Sequence, residues 1–263
     1  MTQTLSEAAV VFGAGSRGGR EGIGRAIALE LARRGKNVLC IDASLDNARE
    51  TADAIIQEGF SGRAAQADVT DANAVKAAVD AFATEAGPIT IGVFNVGIQT
   101  MGDIEDLTPE ALNSTMQANL GGAVGCTQAL LPGMKKEERG SIVFISSIAS
   151  IVSSATPNVA YGTSKAALNL FSRSLAVSHA KYGIRSNVVM PGLIDSPMVR
   201  SAFADDPAGV EEVMKRRSQR CPSGRMGTAQ EVAKVAAFLA SDDASYVSGA
   251  LLSVDGALSC KMA

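Results

Sequence analysis

The sequence has no tryptophan, a single histidine and only 4% aromatic residues. Its apolar runs are all shorter than the roughly 20 residues that a membrane-spanning helix needs, so no transmembrane segment is predicted. Met1–Glu7 carries no positive charge ahead of an apolar stretch, so no secretory signal is expected. The lone His179, without any Gly-x-Ser-x-Gly elbow, disfavours hydrolases that rely on a histidine base.

Neither sign of charge dominates, because 24 Lys and Arg residues face 27 Asp and Glu residues. This balance argues against nucleic acid or an anionic membrane as the main partner. Cysteine is scarce, and none of the four forms a Cys-x-x-Cys pair: Cys40, Cys126, Cys221 and Cys260. The wide spacing disfavours a zinc site or a redox dithiol. We therefore expect no metal, and reduced thiols in a cytoplasmic protein.

Short β-rich runs alternate with longer segments of helical periodicity along the whole chain. The predicted strands are Ala8–Phe12, Asn37–Ile41, Arg63–Ala67, Ile91–Asn95, Ser141–Ser146, Arg185–Met190 and Leu251–Val254. This alternation predicts an α/β fold, with about seven parallel strands covered by helices on both faces. We predict a single doubly wound, Rossmann-type domain over residues 1–263. Two helices, Glu110–Met134 and Ala160–Tyr182, are long and rich in small residues.

A glycine-rich segment follows the first predicted strand. Glycines let main-chain amides approach a diphosphate, whose charge the following helix N-terminus favours. Two registers compete, Gly13-x-Gly15-x-x-Gly18 and Gly18-x-x-x-Gly22-x-Gly24. The apolar helix face starts at Ile23, which favours Gly13-Ala14-Gly15-Ser16, an insertion Arg17–Glu21, and then Gly22-Ile23-Gly24. The competing interpretation is a merely flexible surface loop.

The second predicted strand is followed by Asp42. A carboxylate there accepts hydrogen bonds from both hydroxyls of an adenosine ribose and repels a 2′-phosphate. Asp42 follows Gly22 by 20 residues, the interval typical of dinucleotide-binding folds. NAD is therefore favoured over NADP. Arg17 and Arg20 in the insertion keep NADP open as the alternative, unless they are simply solvated loop charges.

Tyr161 and Lys165 are four residues apart, which places them on one face of a helix. An ammonium about 5 Å from the phenol contributes roughly 3 kcal/mol toward ionising it at an effective dielectric of 20. Such a pair is a plausible acid and base beside an oxidised nicotinamide. Ser146 and Ser147 end a predicted strand, where either hydroxyl is placed to hold a substrate oxygen. Taken singly, each pattern is more often an unrelated surface pair or a capping serine.

Together these motifs make the chain resemble the short-chain dehydrogenase/reductase family from Ala8 to Gly256. The matching motifs are the glycine loop, Ala67-Asp68-Val69, Phe94-Asn95-Val96-Gly97, Asn119, Ser147, Tyr161-x-x-x-Lys165, Asn187-Val188-Val189-Met190-Pro191-Gly192, Phe238–Asp242, Tyr246–Gly249 and Val254-Asp255-Gly256. The order of so many matches makes the resemblance far more specific than any one of them.

The resemblance implies a role for each matching position. Tyr161 is expected to be the general acid and base, Lys165 to lower its pKa and bind the nicotinamide ribose, Ser147 to orient the substrate oxygen, and Asn119 to hold a water on a proton path. The expected coenzyme contacts are Gly13, Ser16, Gly22, Ile23, Asp42, Asp68, Val69, Asn95, Gly97, Tyr161, Lys165, Pro191, Ile194 and Ser196. The family also implies a homotetramer built partly from the two long helices.

The chain departs from the family pattern at four points. Phe12 stands where threonine is usual, the insertion Arg17–Glu21 follows, Phe94-Asn95-Val96-Gly97 stands where Asn-Asn-Ala-Gly is usual, and one extra residue separates Ser147 from Tyr161. The first two bear on the diphosphate loop. The last leaves room for Ser146 in place of Ser147. None of the four removes a catalytic group.

The substrate side is predicted to be mostly apolar. The expected substrate contacts are Gln99, Ser147, Ala149, Tyr161, Leu193 and Met198, and core packing is the competing explanation for the apolar members. A lid is expected at about residues 193–220. Its basic residues Lys215, Arg216, Arg217 and Arg220 are expected on the lid's wet side rather than bound to an acidic substrate.

The leading hypothesis is an NAD-dependent dehydrogenase acting on a largely apolar secondary alcohol or its ketone. Two alternatives remain, an NADP-dependent carbonyl reductase and a non-catalytic nucleotide-binding scaffold. The intact Asn119, Ser147, Tyr161 and Lys165 set argues against the scaffold.

Overall fold

The computed structural model describes residues 7–15, 21–100, 102–153, 158–206 and 208–261. Seven parallel strands form one sheet in the order β3-β2-β1-β4-β5-β6-β7. The strands are β1 Ala8–Phe12, β2 Asn37–Asp42, β3 Gly62–Gln66, β4 Ile89–Phe94, β5 Gly140–Ile145, β6 Ile184–Pro191 and β7 Leu251–Val254. The predicted α/β fold is confirmed, and each strand boundary lies within two residues of its prediction.

Helices cover both faces of this sheet. They are α1 Ile23–Arg33, α2 Leu45–Gln57, α3 Ala72–Ala86, α4 Pro109–Met116, α5 Gly122–Lys136, α6 Val159–His179, α7 Pro197–Ala202, α8 Val210–Arg220 and α9 Ala229–Ala240. Successive side chains of a strand point to opposite faces, so Val11 packs in one apolar core and Val10 in the other. The first core includes α1 and α9, and the second includes α3, α5 and α6. This arrangement is the doubly wound architecture that the strand pattern predicted.

The two long predicted helices are less regular than expected. The first is interrupted between α4 and α5 by a π-helical turn, Gln117–Gly121. The second ends at His179 and continues as a 3₁₀ turn, Ala180–Tyr182. A π turn inserts a residue into the helical repeat and is common at functional sites. Here it carries the buried Asn119.

The sheet topology fixes where a ligand crevice can lie. Strand β1 pairs with β2 on one side and with β4 on the other, so the direction of winding reverses between β1 and β4. Parallel strands end at the same edge of the sheet, and the crevice of such folds lies at the carboxyl ends beside this reversal.

All four cysteines are free thiols. Among the described residues, no helix is long and apolar enough to cross a membrane.

Candidate active site

The first glycine turn leaves β1 in a tight bend against β2. Gly13 has φ of +74°, a conformation that glycine adopts without strain. The amides of Gly13 and Ala14 both donate to the Ile41 carbonyl, at 2.8 and 3.0 Å. A Cβ atom at Gly24 would lie 1.9 Å from the Gly13 carbonyl oxygen, so a side chain there has no room. Gly13 and Gly24 therefore bring β1 and α1 into direct backbone contact.

The start of α1 decides between the two glycine registers. Gly22 has extended backbone and immediately precedes Ile23, the first residue of α1. This is the register expected from the apolar helix face. Gly15 is equally crowded, because its Cβ would meet Asp42 Oδ2 at 2.6 Å. Ser16 and residues 17–20 of the insertion lie outside the described residues.

Asp42 ends β2 directly beside this loop. Its Oδ2 accepts a hydrogen bond from the Gly15 amide at 3.0 Å, and its Oδ1 accepts one from the Ser44 amide at 3.0 Å. Both carboxylate oxygens are thus fixed by main-chain donors while the side chain stays partly exposed. The result is a fixed negative charge at the edge of the glycine loop.

The residues predicted for the adenosine side follow β3 and β4. Thr70 donates to Asp68 Oδ1 from its amide at 2.9 Å and from its hydroxyl at 2.8 Å, and these bonds lower the pKa of the Asp68 carboxyl. Val69 is buried against α5. Asn95 donates from Nδ2 to the Gly13 carbonyl at 2.9 Å and so ties the end of β4 to the glycine turn.

Lys165 lies inside the protein, with only 2% of its surface exposed. Its Nζ donates to the Ile145 carbonyl at 3.0 Å and to the Val96 carbonyl at 3.2 Å, so it bridges the ends of β5 and β4. A Cβ atom at Gly97 would lie 3.0 Å from this Nζ. Burial lowers the pKa of Lys165 to about 8. Two main-chain carbonyls compensate for the desolvation of its charge without any carboxylate.

Tyr161 lies one helical turn before Lys165 on α6, and Lys165 Nζ is 5.8 Å from the centre of its ring. The Tyr161 hydroxyl is hydrogen-bonded to the Ser147 side chain. Burial raises the pKa of the Tyr161 phenol, and the Ser147 hydrogen bond opposes that rise. The sequence predicted a phenol acidified by Lys165. Within the protein alone the desolvation of the phenolate outweighs the stabilising contacts, so the pKa moves upward instead.

The structure separates the two candidate serines. Ser146 is buried, and its hydroxyl donates to the Lys165 carbonyl at 3.2 Å. Ser147 Oγ accepts a hydrogen bond from the Ala149 amide at 3.1 Å and also bonds with Tyr161. Ser147 is therefore the serine that meets the phenol, whereas Ser146 holds the helix backbone.

Asn119 is fully buried in the π turn, and all of its polar atoms have protein partners. Its Nδ2 donates to the Ser164 hydroxyl at 2.9 Å and to the Ile98 carbonyl at 3.0 Å, while its Oδ1 accepts from the Ile98 amide at 2.8 Å. These bonds join α6 to the segment after β4. They place Asn119 Oδ1 and Lys165 Nζ on the same side of Gly97.

The residues predicted for the nicotinamide end lie after β6. Pro191 is the buried last residue of β6 and pairs with Val254. Ile194 is buried and pairs with Gly227, and Ser196 Oγ accepts from the Val199 amide at 3.4 Å as the N-cap of α7. Ser196 thus caps α7, and its contact with the nicotinamide stays a prediction.

The predicted substrate residues form a less uniform group. Gln99 is exposed, Ala149 is half-buried on the loop that carries Ser147, and Leu193 packs in a small apolar cluster with α7 and α8. The Met198 side chain lies outside the described part of the structure. The cluster beside Leu193 corresponds to the predicted lid.

The arrangement brings together a phenol, a hydroxyl and a buried ammonium at the carboxyl ends of β4, β5 and β6. A hydroxyl bonded to a phenol can hold a carbonyl or alcohol oxygen, and the phenol can exchange a proton with that oxygen. Comparison with known proteins points the same way. A family model described as Enoyl-(Acyl carrier protein) reductase matches residues 18–259.

Curated relatives match over almost the whole chain. Oxidoreductase UcpA of Salmonella typhimurium is 36% identical over 240 residues, 91% of each chain. The 3-oxoacyl-[acyl-carrier-protein] reductase FabG of Escherichia coli is 34% identical over 241 residues, which cover 92% of this chain and 94% of FabG.

Solved structures share the same fold. A putative short-chain dehydrogenase/reductase from Burkholderia xenovorans superposes with a TM-score of 0.94 at 33% identity, over 98% of this chain and 99% of that one. A gluconate 5-dehydrogenase from Burkholderia cenocepacia, solved with NADP and tartrate, gives a TM-score of 0.86 at 30% identity, over 97% and 96% of the two chains. The chain belongs to the short-chain dehydrogenase/reductase family.

Membership of the short-chain dehydrogenase/reductase family makes this chain one of a group of oxidoreductases that use nicotinamide coenzymes. Sequence reasoning named the polar side chains of the site but missed the groups that hold them. The acceptors of Lys165 are main-chain carbonyls, which leave no signature in a sequence. The Ser164 partner of Asn119 had a weak signal, since it stands inside the Tyr161–Lys165 motif.

Proposed function

We propose that this protein is an NAD-dependent dehydrogenase that moves a hydride between the coenzyme and a small, largely apolar secondary alcohol or its ketone. The observation that carries this proposal is the buried Lys165 ammonium 5.8 Å from the centre of the Tyr161 ring, with Ser147 beside that phenol. Burying the Lys165 charge beside a phenol costs free energy. A catalytic site gains from such a group, whereas a non-catalytic scaffold does not.

The crowded glycines support a bound dinucleotide. At Gly13, Gly15 and Gly24 a Cβ atom would lie within 3.0 Å of a neighbouring atom, so the backbone there is bare and close to α1. We propose that this loop and the start of α1 hold the diphosphate, with Asp42 at the adenosine ribose. Asp68, Val69, Asn95 and Gly97 would line the adenosine side, and Pro191, Ile194 and Ser196 the nicotinamide side. When bound, the nicotinamide supplies the hydride acceptor or donor.

The proton chemistry falls to the chain's own side chains. Ser147 donates a hydrogen bond to the substrate oxygen, and the Tyr161 hydroxyl exchanges the proton with that same oxygen. Lys165 has a pKa near 8, so it still carries its charge at pH 7 and stabilises the phenolate. A cationic nicotinamide would add to that positive potential and offset the burial that raises the Tyr161 pKa. Asn119 fixes the turn beside Lys165 through which a proton path would run.

Coenzyme preference is proposed to follow Asp42. Its carboxylate is fixed by the Gly15 and Ser44 amides, so it cannot swing away from a 2′-phosphate, and two negative charges at that distance repel. NADP dependence remains the second candidate, because one structural neighbour was solved with NADP. Measuring kcat/KM with both coenzymes on the same alcohol decides between them, and a higher value with NADP would overturn the NAD proposal.

A panel of secondary alcohols with each coenzyme tests the reaction, with formation of the reduced coenzyme followed by absorbance. We expect turnover with at least one member. In Tyr161→Phe, turnover should fall by roughly 100- to 10,000-fold because the proton donor is lost, while coenzyme affinity stays unchanged. Tyr182→Phe, a phenol outside the site, is the matched control. Full activity of Tyr161→Phe would refute the assignment, and coenzyme binding without turnover on any substrate would favour the scaffold.

We propose further that the protein is a cytoplasmic homotetramer with a small-molecule substrate, without nucleic-acid or membrane partners. Support for assembly comes from α6, where Leu170 and Val177 are 66% and 83% exposed. Exposed apolar side chains in a row on one helix favour burial against another subunit. Light scattering of the purified chain tests this, since a monomer mass would contradict it. Residues 193–220 are proposed to act as the lid.

A further inference from the structure

One arginine of α8 lies on the apolar side of the helix. Val213, Met214 and Cys221 recur at helical spacing and pack in the cluster that also contains Leu193 and Phe203. Arg217 is three residues after Met214 and four before Cys221, so it shares their face. It is half-buried, unlike the other basic residues of α8, which are exposed: Lys215, Arg216 and Arg220. The expectation that the basic residues of this segment form a wet face is therefore wrong for Arg217.

Arg217 has no countercharge among the described residues. Its guanidinium carbon lies 5.5 Å from the centre of the Phe203 ring, and its Nε is shielded from solvent without a hydrogen-bond partner. An unpaired buried N–H costs free energy, and a guanidinium is never relieved by losing its proton. Arg220, a second positive charge, is close enough to lower the pKa of Arg217, and burial lowers it more.

Three other cations of the same segment are paired, and the fourth, Arg220, is exposed to solvent. Arg200 contacts Asp195 and Glu211 at 2.7 and 2.6 Å, which satisfies its charge within the lid. The remaining pairs are Lys215 with Glu212 and Arg216 with Asp206, both longer than 3.5 Å. Arg217 is thus an unpaired guanidinium that faces inward, while four carboxylates of the segment contact other cations: Asp195, Asp206, Glu211 and Glu212. A planar guanidinium that lies beside an aromatic ring and has free donors is suited to bind a carboxylate.

The lid cluster is anchored at the catalytic edge of the sheet. Ile145 pairs with Val189, so Ser147 and Pro191 leave the neighbouring strands β5 and β6 at the same level. Leu193 follows Pro191 by two residues and packs against the inner face of α8. A substrate oxygen held by Ser147 would therefore lie on the side of the sheet that this face covers.

We propose that Arg217 binds an anionic group of the substrate, a carboxylate, so that the substrate is a hydroxy or keto acid with an apolar body. This inference rests on the proposed dehydrogenase function and adds a polar end to its apolar substrate. Phe203 holds the guanidinium plane, and the apolar cluster contacts the carbon chain. The donors of Arg217 would gain the partner that the protein does not provide.

Matched acid and ester substrates test this proposal. The probes are lactate, 3-hydroxybutanoate and 4-hydroxypentanoate, each with its methyl ester and as both enantiomers, with saturating coenzyme. We expect kcat/KM for at least one acid to exceed that for its ester by roughly 10- to 100-fold, the worth of a charged hydrogen bond. Arg217→Met should remove this preference mainly through KM, and Arg217→Lys should keep part of it.

Arg220→Met is the matched control, because Arg220 is exposed on the same helix. Its acid preference should stay within about threefold of the unmutated protein. A thermal shift with the preferred acid gives a second readout, which Arg217→Met should abolish. Equal use of acids and esters, or an undiminished preference in Arg217→Met, would overturn the inference while leaving the dehydrogenase proposal intact. No oxidation of any acid, ester or neutral alcohol would overturn both.

A second observation concerns the placement of Ser147. Asn169 on α6 is 6% exposed, and its Nδ2 donates to the Ser150 hydroxyl at 2.8 Å. Ser150 in turn donates to the Ser147 carbonyl at 2.5 Å. The Met190 sulfur accepts from Asn169 Nδ2 at 3.6 Å and lies 3.5 Å from the Ser150 hydroxyl oxygen. This network joins α6, the loop after β5 and the end of β6 directly behind Ser147.

We infer that Asn169 is a positioning residue that holds Ser147 against Tyr161 through Ser150. The Ser147 backbone is extended, and its Oγ already accepts from the Ala149 amide, so a shift of the carbonyl moves the hydroxyl with it. Asn169 touches no reacting atom, and its Oδ1 has no partner among the described residues. Leaving the Asn169 Oδ1 without a partner costs free energy, so stability alone does not explain an asparagine at this buried position.

Asn169→Leu and Ser150→Ala test this role, with Ser178→Ala on the exposed side of α6 as the control. We expect kcat to fall roughly tenfold in both variants with unchanged KM for the coenzyme. The pKa that the pH dependence of kcat assigns to Tyr161 should rise in both variants. The reason is that the Ser147 contact lowers the pKa of Tyr161, and a displaced Ser147 would lose that contact. Unchanged kcat and pH profile in folded Asn169→Leu and Ser150→Ala, with only an altered melting temperature, would overturn the inference.

Discussion

The proposed catalytic cleft and the proposed lid each contain a cation held by protein oxygens, but the two sites are built differently. Lys165 is buried and bonds to the main-chain carbonyls of Val96 and Ile145. Arg200 bonds to the side-chain carboxylates of Asp195 and Glu211, and Glu211 is largely exposed. Burial lowers the pKa of Lys165 to about 8, whereas the Asp195 and Glu211 hydrogen bonds raise the pKa of Arg200.

The difference concerns what each region keeps fixed. Main-chain carbonyls at the ends of β4 and β5 move only if the sheet moves, so the position of Lys165 is set by the fold. The lid is held by a small apolar cluster and by ion pairs that side-chain rotation can exchange. We expect the reaction chemistry to depend on the first region and substrate choice on the second.

Among the variants that test this comparison, Lys165→Met should cause the largest loss of activity. It removes the positive charge beside Tyr161, and we expect kcat to fall roughly 100- to 10,000-fold because the phenolate loses its stabilisation. Steady-state turnover with a substrate found in the alcohol panel measures this. Lys181→Met, an exposed lysine near the end of α6, is the control. Loss of less than about fivefold would show that the cleft is no more sensitive than the surface.

The stability of the same variant should depend on pH in a defined direction. Lys165 has a pKa of about 8 when folded and an ordinary value of 10.5. Between these values the unfolded chain binds the extra proton, so the unmutated protein gains stability as pH rises from 8 to 10.5. Relative to Lys165→Met, this gain is roughly 3 kcal/mol in the free energy of unfolding. Urea unfolding of both proteins at pH 7 and 10 measures it, and parallel curves would contradict the burial argument.

Asp42→Ala should change coenzyme choice by a smaller factor. Removing the carboxylate abolishes repulsion of a 2′-phosphate and frees the Gly15 amide, so we expect the NADP-to-NAD ratio of kcat/KM to rise roughly 10- to 100-fold. Asp46→Ala is the control, because that carboxylate is 93% exposed and lies outside the proposed coenzyme site. An unchanged ratio would mean that Asp42 does not read the ribose.

Arg200→Gln should cause the smallest change of these variants, a small fall in the melting temperature with little change in kcat. Partly exposed ion pairs contribute about 1 kcal/mol or less, which corresponds to a shift of about 2 to 4 °C in the melting temperature of a chain this size. We expect kcat on neutral alcohols to stay within twofold, because the residue is outside the cleft network. Differential scanning calorimetry gives the first value. A fall of more than about 8 °C would show that the lid is as rigidly built as the cleft.

How far sequence patterns reached can be seen at individual residues. The start of α1 at Ile23 was predicted, and the end of β2 at Asp42 was predicted to within one residue, because apolar periodicity and strand composition are local properties. The π turn at Asn119 was not predicted, and a single helix was expected there. That turn exists because Asn119 satisfies its bonds with Ile98 and Ser164, which are distant in the sequence.

The choice between Ser146 and Ser147 shows the same limit. Both follow β5 and have the same side chain; the family resemblance favoured Ser147, but the extra residue before Tyr161 left Ser146 open. In the structure, neighbouring residues of an extended segment point to opposite sides, which sends Ser146 to the Lys165 carbonyl and Ser147 to Tyr161. The half-buried environment of Arg217 was likewise not predictable from the sequence, since a basic residue in an amphipathic helix is usually solvated.

The sequence by itself determined the α/β class, the succession of strands and helices along the chain, and the family. These properties depend on periodicity and on motifs in a fixed order. Only the tertiary structure decided the direction in which the Tyr161 and Lys165 pKa values move, the serine that meets the phenol and the arginine that lacks a partner. Those properties arise from burial and from contacts between residues far apart in the chain, and the free energy of a buried charge depends on what surrounds it in space.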